Sequence, residues 1–268
     1  MMKPKKSLGQ HFLKSRDALR KIIQAGEISR DDVILEIGPG KGILTTELLK
    51  YAGKVVAVEK DRELFEFLQG KFKTEVKNGL LVLINDDILN SKIENLKLKI
   101  YKLISNIPYN ITGAILKKFL AGDQPPFAQG FGGAQPKLMV LLLQKEVAER
   151  IVARGGKESI LSISVKAYGE PKVIGKVPRR YFSPEPKVDS AIIAIKNISR
   201  KNFAPTKVGA PTRVGEEKFW QIVKKGFAHK RKKLSGNLKN AVPAAILAKY
   251  SEKRAEDLAL DDWIFLAR

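Results

Sequence analysis

The 268-residue sequence predicts an α/β fold: an open, mostly parallel sheet with helices between its strands, followed by a small helical domain. Two observations predict it. Short apolar runs typical of buried strands alternate with amphipathic stretches typical of helices up to about residue 198. From Glu216 onwards these runs stop, and apolar residues recur at helical spacing. We therefore expect a first domain over residues 1–198, and a linker with a small helical domain over 199–268.

The elements of the first half follow one another regularly. Runs rich in Val, Ile and Leu predict strands at 33–37, 54–59, 80–85, 101–105 and 138–143. Helices are predicted between them, the first of which begins at an aspartate that can cap it, Asp17. The predicted helices cover residues 17–26, 43–50, 61–70, 112–120 and 145–154.

The second half is less regular. Residues 121–137 are rich in Gly, Pro and Gln, which predicts a surface loop. Residues 160–168 fit either a helix or a strand, and strands are expected at 172–177 and 190–198. Residues 199–215 are rich in Pro, Gly and Lys, as expected for a linker, and helices should occupy much of 216–268.

Composition excludes several classes of protein. The absence of cysteine removes disulfides, thiolate nucleophiles and cysteine-bound metal clusters. Neither of the two histidines has a partner at metal-binding spacing, so we expect no metal site. The charged N-terminus lacks the apolar stretch of a secretory signal, and no apolar run reaches the ~20 residues of a membrane span. These features predict a cytoplasmic protein without a membrane partner.

The net charge of +22 predicts a polyanionic partner, with nucleic acid as the first candidate. Basic residues cluster at the N-terminus, at Lys3, Lys5, Lys6, Lys14 and Arg16, and again without intervening acids between Lys224 and Lys239. The second cluster is densest at Lys230, Arg231, Lys232 and Lys233, here called the basic quartet. We predict that the basic quartet binds RNA. A membrane surface is the weaker alternative, because neither cluster adjoins a clearly amphipathic helix.

Polar or glycine-rich signatures follow four of the predicted strands. Ligands of open α/β sheets bind outside the carboxyl ends of the strands. The first signature, residues 36–42, departs from a dinucleotide fingerprint because its third glycine comes one residue early, at Gly42. Glu59, 21 residues after Gly38, is placed to bind ribose hydroxyls. Asp87, or Asp86 in its place, can accept a hydrogen bond from an adenine amine.

The fourth signature is residues 106–109, an amide side chain, an isoleucine, a proline and an aromatic ring at the end of a strand. A proline restrains the backbone locally, so the carbonyls of Asn106 and Ile107 can point the same way with Tyr109 close behind. Such a group can hold a flat polar ring by its exocyclic amine. Ribose and adenine contacts without a pyrophosphate cradle indicate S-adenosyl-L-methionine as cofactor.

Five motifs in order carry a resemblance to a known family. They are residues 9–13 (GQHFL), 36–40 (EIGPG), 106–109 (NIPY), 143–147 (LQKEV) and 182–190 (FSPEPKVDS). With them the chain resembles the ribosomal RNA adenine N6-dimethyltransferases, specifically the KsgA group that acts on small-subunit RNA. The resemblance covers residues 5–198 and, more weakly, 216–268. Residues 121–137 form a longer segment than this family leads one to expect.

The resemblance implies a Rossmann-like, S-adenosylmethionine-dependent methyltransferase domain and assigns roles to residues. The implied donor contacts are His11, Leu13, Gly38, Glu59, Asp87 and Asn106. The implied catalytic residues are Asn106, Ile107, Pro108 and Tyr109, with Phe182 covering the second face of the base. The implied substrate is a pair of adjacent adenines in the 3′-terminal hairpin of 16S rRNA, in the small ribosomal subunit or its precursor. We expect the enzyme to be a monomer.

Two alternatives remain open at this point. One is a methyltransferase acting on 23S rRNA of the large subunit, of the antibiotic-resistance type, which would share the fold and the site. The other is a ribosome assembly factor that binds RNA without catalysis. The complete set of Glu59, Asp87, Asn106 and Tyr109 argues against the second, because a pure binder needs no donor pocket.

Overall fold

The computed structural model describes residues 4–5, 8–91, 98, 100–121, 135–203 and 215–268. Most of the predicted loop at 121–137 and of the predicted linker at 199–215 lies outside this range, as do Lys3 and Lys6 of the N-terminal basic cluster. Among the described residues, no helix combines the length and the apolar character that crossing a bilayer requires.

The predicted α/β architecture is confirmed. Seven strands form the main sheet, and every strand predicted from the sequence is present within about two residues of its expected bounds. Two further strands, which the sequence did not predict, pair with each other outside it. The strands are β1 (Phe12–Leu13), β2 (Val33–Ile37), β3 (Lys54–Glu59), β4 (Leu81–Asn85), β5 (Lys102–Asn106), β6 (Leu138–Gln144), β7 (Glu170–Val177), β8 (Phe182–Ser183) and β9 (Ser190–Lys196).

The strand order in the sheet is β4-β3-β2-β5-β6-β9-β7. The five strands β4, β3, β2, β5 and β6 are parallel to one another. β9 runs antiparallel to both of its neighbours, β6 and β7. The chain moves outward from β2 to β4 and then returns to add β5 on the other side of β2. The order therefore reverses between β2 and β5, and the crevice at their carboxyl ends is where such sheets bind ligands.

Helices cover the sheet, and all five that were predicted between the strands are present. The cap of the first helix is Ser15 and not the predicted Asp17, because the Ser15 hydroxyl accepts the Ala18 N–H. Up to residue 198, the described residues form α1 (Arg16–Gly26), α2 (Ile43–Tyr51), α3 (Arg62–Lys71), α4 (Lys73–Lys77), α5 (Thr112–Leu116), α6 (Lys145–Val152) and α7 (Ile160–Lys166). The short α4 was not predicted, and α5 continues as a π-helical turn over Lys117–Ala121. The ambiguous segment at 160–168 is helical because Ser159 and Ser162 form a capping box at its start.

The C-terminal residues form α8 (Glu216–Gly226), α9 (Leu234–Leu238), α10 (Ala244–Leu247) and α11 (Leu260–Leu266). These helices share an apolar core with the sheet. Tyr168, which follows α7, contacts Phe203 at a ring distance of 5.3 Å, and Phe203 contacts Phe219 at 5.1 Å. The Trp220 indole also donates a hydrogen bond to the Tyr168 hydroxyl at 3.1 Å. The C-terminal helices are thus packed against the first domain, and the boundary near residue 198 stays a prediction.

A buried ion-pair network joins α1 to the centre of the sheet. Asp32, whose side chain is 3% exposed, accepts from Lys102 Nζ at 2.8 Å and from Lys137 Nζ at 2.6 Å. Lys102 Nζ also donates to the Gly26 carbonyl at the end of α1, at 3.0 Å. Burial opposes ionisation of Asp32, but its two lysine partners outweigh it and hold its pKa well below the usual range.

Replacing Asp32 by alanine should lower the free energy of unfolding by about 3 kcal/mol, because it leaves the buried Lys102 ammonium without its carboxylate. Since the pKa of Asp32 is lowered on folding, its contribution is complete above the unfolded value of about 3.9 and is lost as the pH falls further. Denaturant unfolding measures both effects. Asp17→Ala is the control, because its pairs with Arg20 and Lys21 are exposed and should contribute below about 1 kcal/mol. An equal loss of unfolding free energy in the two variants would contradict a stabilising role for the buried Asp32 ion pairs.

Candidate active site

A cleft opens at the carboxyl ends of β2 and β5, at the point where the strand order reverses. Its walls come from residues 8–13, 36–41, 58–60, 86–89 and 106–111. The structure thus brings together every residue predicted to contact the methyl donor, because all of them line this one cleft: His11, Leu13, Gly38, Glu59, Asp87 and Asn106.

The glycine-rich loop after β2 forms the floor of the cleft. Gly38, Gly40 and Gly42 have φ angles of 64°, 61° and 72°, a left-handed region that residues with a side chain rarely adopt. A Cβ on Gly40 would lie 3.0 Å from the Phe12 ring, so the loop packs closely there. A Cβ on Gly38 would meet only Pro108, at 3.8 Å. The backbone at Gly38 is therefore open to close approach by a ligand.

Glu59 ends β3 and is 5% exposed. Its Oε2 accepts the Gly40 N–H at 3.0 Å and its Oε1 accepts the Asp61 N–H at 2.9 Å. Burial raises the pKa of Glu59, and these backbone donors oppose that effect. Each oxygen keeps a second lone pair, so the oriented carboxylate can still accept from a pair of adjacent ligand hydroxyls.

Asp86 and Asp87 follow β4, and their different hydrogen-bond partners show which of the two can better accept from a ligand. Asp86 uses both oxygens within its own loop, accepting from the Asp87 N–H at 2.7 Å and from the Ser91 hydroxyl. Asp87 accepts the Leu89 N–H at 3.0 Å and pairs with Lys60 Nζ at 2.9 Å. Partial burial opposes its ionisation, but Lys60 and Leu89 hold its pKa below the usual range. Because the exposed Lys60 can move aside, Asp87 is the better acceptor for a ligand amine.

Asn106 lies at the end of β5, and its amide is already oriented. Its Nδ2 donates to the His11 carbonyl at 3.2 Å, so Oδ1 is left as an acceptor at the rim of the cleft. Pro108 has φ −57° and ψ 133° and starts the turn that carries Tyr109. The Tyr109 hydroxyl is hydrogen bonded to Ser190 Oγ at 2.6 Å, and burial raises its pKa. The half-buried ring is thereby held by the backbone turn at its Cβ end and by Ser190 at its hydroxyl end.

The structure does not bring Phe182 into the cleft. Its side chain is 2% exposed and belongs to the same apolar cluster as Leu13 and Ile192. The reason is the unpredicted pairing of β8 with β1, which directs this side chain into the core. Phe182 is therefore not among the residues that line the cleft, and its role as a cover for the base stays a prediction. The His11 ring stacks on Tyr109, with a centroid distance of 5.7 Å and an interplanar angle of 18°.

The sequence motifs include Glu36 and Gln10, but they did not predict the contacts that these two residues make. Glu36 is 1% exposed and accepts from the Thr45 hydroxyl at 2.7 Å, and burial raises its pKa to about 8. Gln10 donates to Asp61 Oδ2 at 2.9 Å, which ties the N-terminal wall to the start of α3. From the sequence, Asp61 was predicted only as the first residue of a helix. Its position two residues after Glu59 was the available signal for a second role.

The basic quartet lies apart from the cleft, in the turn between α8 and α9. All four side chains are exposed. Lys233 pairs with Glu252, whereas the other three form no ion pair with any residue that the structure describes. In the described part of the chain, no group of three or more metal-ligating side chains comes together.

Comparison with known proteins identifies the family. The family described as "Ribosomal RNA adenine dimethylase" matches residues 1–263. The chain belongs to the ribosomal RNA adenine dimethylase family. Members of this family are enzymes that use S-adenosyl-L-methionine as methyl donor.

Relatives in sequence and in structure agree with this membership. Proteins named "Ribosomal RNA small subunit methyltransferase A" are 37% identical in Dehalococcoides mccartyi (99% of this chain, 88% of the relative) and 38% identical in Nostoc sp. (100% and 98%). A dimethyladenosine transferase from Plasmodium falciparum superposes with a TM-score of 0.76 at 28% identity, over 96% of both chains. The 23S rRNA methyltransferase ErmE superposes with a TM-score of 0.73 at 25% identity, over 96% of this chain and 98% of the ErmE chain.

Proposed function

We propose that this enzyme transfers methyl groups from S-adenosyl-L-methionine to N6 of two adjacent adenines in the 3′-terminal hairpin of 16S rRNA. The reaction would take place during biogenesis of the small subunit. The observation that carries the proposal is the Asn106 amide, oriented by the His11 carbonyl and placed beside Tyr109 at the rim of a donor cleft. The proposal includes a cytoplasmic setting, where bacterial subunits are assembled, and a monomeric enzyme.

The cleft fits the donor along its length. The open backbone at Gly38 suits the amino-acid moiety, Glu59 suits the ribose hydroxyls, and Asp87 suits the adenine amine. When bound, the donor supplies a methyl group on a positively charged sulfur. Holding that methyl against the acceptor nitrogen converts an encounter between two molecules into a reaction within one complex, which contributes much of the rate enhancement.

Adenine N6 is a weak nucleophile, because its lone pair is delocalised into the ring. The acceptor site can increase its reactivity. The Asn106 Oδ1 and the Ile107 backbone carbonyl can accept the two N6 hydrogens, which turns the lone pair toward the methyl group. These acceptors also stabilise the positive charge that develops on nitrogen in the transition state. Tyr109 offers one face for stacking. The proton can leave after transfer, so no strong base is required.

The target adenine must leave its helix or be presented single-stranded, because the cleft cannot reach a stacked base. A pocket that adds two methyl groups must also accept N6-methyladenine. Recognition of the RNA then depends on shape and phosphates rather than on a closed A-form major groove.

The small-subunit substrate is favoured over the large-subunit one by the sequence relatives, which carry small-subunit names at 37–38% identity. The fold does not separate the two, because a 23S rRNA methyltransferase also superposes well. Transfer of tritiated methyl groups to unmethylated small subunits, with large subunits in parallel, tests the choice. Label in the large subunits alone would overturn the proposal. A chain that binds no S-adenosylmethionine would instead favour a non-catalytic assembly factor.

Neutralising the basic quartet together should weaken binding to RNA or subunits and leave donor binding intact, because its charges lie apart from the cleft. For each phosphate that the variant no longer neutralises, the dependence of log affinity on log salt should flatten by roughly 0.7 to 0.9. Filter binding of RNA at several salt concentrations measures this slope. Titration calorimetry measures the affinity for the methyl donor.

The matched control changes Lys230, Lys232 and Lys233 to arginine, which keeps every charge and should keep the slope. An unchanged slope in the neutralised variant would mean that the basic quartet is only a solvated surface.

A further inference from the structure

Residues 8–13, here called the roof segment, form one wall of the cleft and carry the predicted donor contacts His11 and Leu13. Only its last two residues belong to a strand, β1, which pairs with β8. The preceding residues are not part of a sheet or of an α-helix. Their position over the donor cleft therefore depends on side-chain anchors.

On the acceptor side, His11 Nδ1 is hydrogen bonded to the Pro184 carbonyl at 2.8 Å. On the donor side, the anchor is Gln10. Its Nε2 donates to Asp61 Oδ2 at 2.9 Å, a contact between residues 51 positions apart. The Asp61 side chain is 3% exposed, and its other oxygen accepts from the Glu63 N–H at 3.1 Å, which caps α3. Lys5 Nζ also pairs with Asp61, at 2.8 Å. Asp61 is thus a fixed, charged acceptor, and hydrogen bonds to charged groups are stronger than neutral ones.

The same contacts join the two halves of the active site. On the donor side, the Asp61 backbone N–H donates to Glu59 Oε1 at 2.9 Å. On the acceptor side, the His11 carbonyl accepts from Asn106 Nδ2 at 3.2 Å. The roof segment therefore runs from the carboxylate placed for the ribose to the amide placed for the target base.

We propose that Gln10 and Asp61 are positioning residues that seat the roof segment over the methyl donor and, through His11, orient the Asn106 amide. This inference rests on the proposed function, because it assigns the cleft to a methyl donor. Without the Gln10–Asp61 hydrogen bond, the roof segment loses its anchor on the donor side, so the donor dissociates faster and Asn106 loses a fixed acceptor for its Nδ2.

Exchanging the two side chains provides a direct test. Gln10→Ala should weaken S-adenosylmethionine binding about tenfold, the effect of losing a hydrogen bond to a charged group. Gln10→Glu should weaken it more, because two carboxylates then face each other. Asp61→Asn keeps a good helix cap. The double variant Gln10→Glu with Asp61→Asn restores an amide–carboxylate pair in the opposite direction, and its affinity should recover to within about threefold of the native value.

Proteolysis reports on the roof segment itself. Lys14 is exposed immediately after this segment, so the rate of tryptic cleavage there measures how firmly the segment is seated. In the native chain, donor should slow the cleavage. In Gln10→Ala, cleavage should be faster and less sensitive to donor. Gln221→Ala is the matched control, because Gln221 makes the same type of bond to Glu217 on the surface of α8, at 3.3 Å, and should change neither readout.

Native donor affinity and native protection of Lys14 in both single Gln10 variants would overturn the inference. So would a double variant that binds as weakly as Gln10→Glu, since recovery is the property that separates positioning from a general loss of structure. Thermal unfolding without donor verifies that each variant is folded. A native chain that binds donor but methylates no RNA would refute the proposed function while leaving the donor measurements interpretable.

Discussion

Replacing Asn106 by alanine is expected to lower the single-turnover rate of methyl transfer by about 100- to 1,000-fold, the usual effect of removing one preorganised group that stabilises a transition state. The loss should fall on the chemical step, because the amide acts on a charge that develops only there. RNA affinity should change far less, because the basic quartet lies elsewhere. Single-turnover kinetics with saturating donor and RNA measure the effect.

Asn202→Ala is the matched control for this experiment. Its Nδ2 also donates to a backbone carbonyl, that of Ala167 at 2.8 Å, but it lies outside the cleft. It should leave the rate unchanged. A near-normal rate in Asn106→Ala would refute the proposed role of the amide.

Replacing Glu59 by alanine is expected to reduce the affinity for S-adenosylmethionine by about 100-fold or more. Losing two hydrogen bonds to a charged acceptor costs roughly 3 kcal/mol, and 1.4 kcal/mol corresponds to tenfold in affinity. The Gly40 N–H also loses its acceptor, so the glycine-rich loop is no longer held at the floor of the cleft. Isothermal titration calorimetry measures the affinity, and circular dichroism verifies the fold.

Glu59→Gln should not rescue the binding. Both carboxylate oxygens accept backbone N–H groups, from Gly40 and Asp61, and an amide NH₂ would face one of those donors. Glu66→Ala is the control, because Glu66 is exposed on α3 and, among the residues that the structure describes, forms an ion pair only with Arg62. Unchanged donor affinity in Glu59→Ala would contradict the role of the carboxylate.

Local sequence patterns predicted the parts of the fold that depend on neighbouring residues. The strands were predictable because runs of Val, Ile and Leu fit buried parallel strands. The segment at 160–168 could have been assigned as a helix, because Ser159 and Ser162 lie at capping-box spacing. The pairing of β1 with β8 was not predictable, because each strand has two residues and its stability comes from a partner about 170 positions away.

The sequence by itself determined the chemistry of the site. Strand-end residues at regular βα spacing carry the side chains suited to a donor and an amine, namely Glu59, Asp87, Asn106 and Tyr109. Parallel strands bring such residues to one edge whatever the details of packing. The charge of +22 likewise indicated a polyanionic partner without any structure.

Only the tertiary structure decided how these residues face one another. The β1–β8 pairing turned Phe182 into the core and left His11 beside Tyr109. Packing also brought Gln10 to Asp61, which links the donor and acceptor sides. The physical reason is that side-chain direction and contacts between distant residues depend on register and close packing across the whole fold, and no local propensity encodes them.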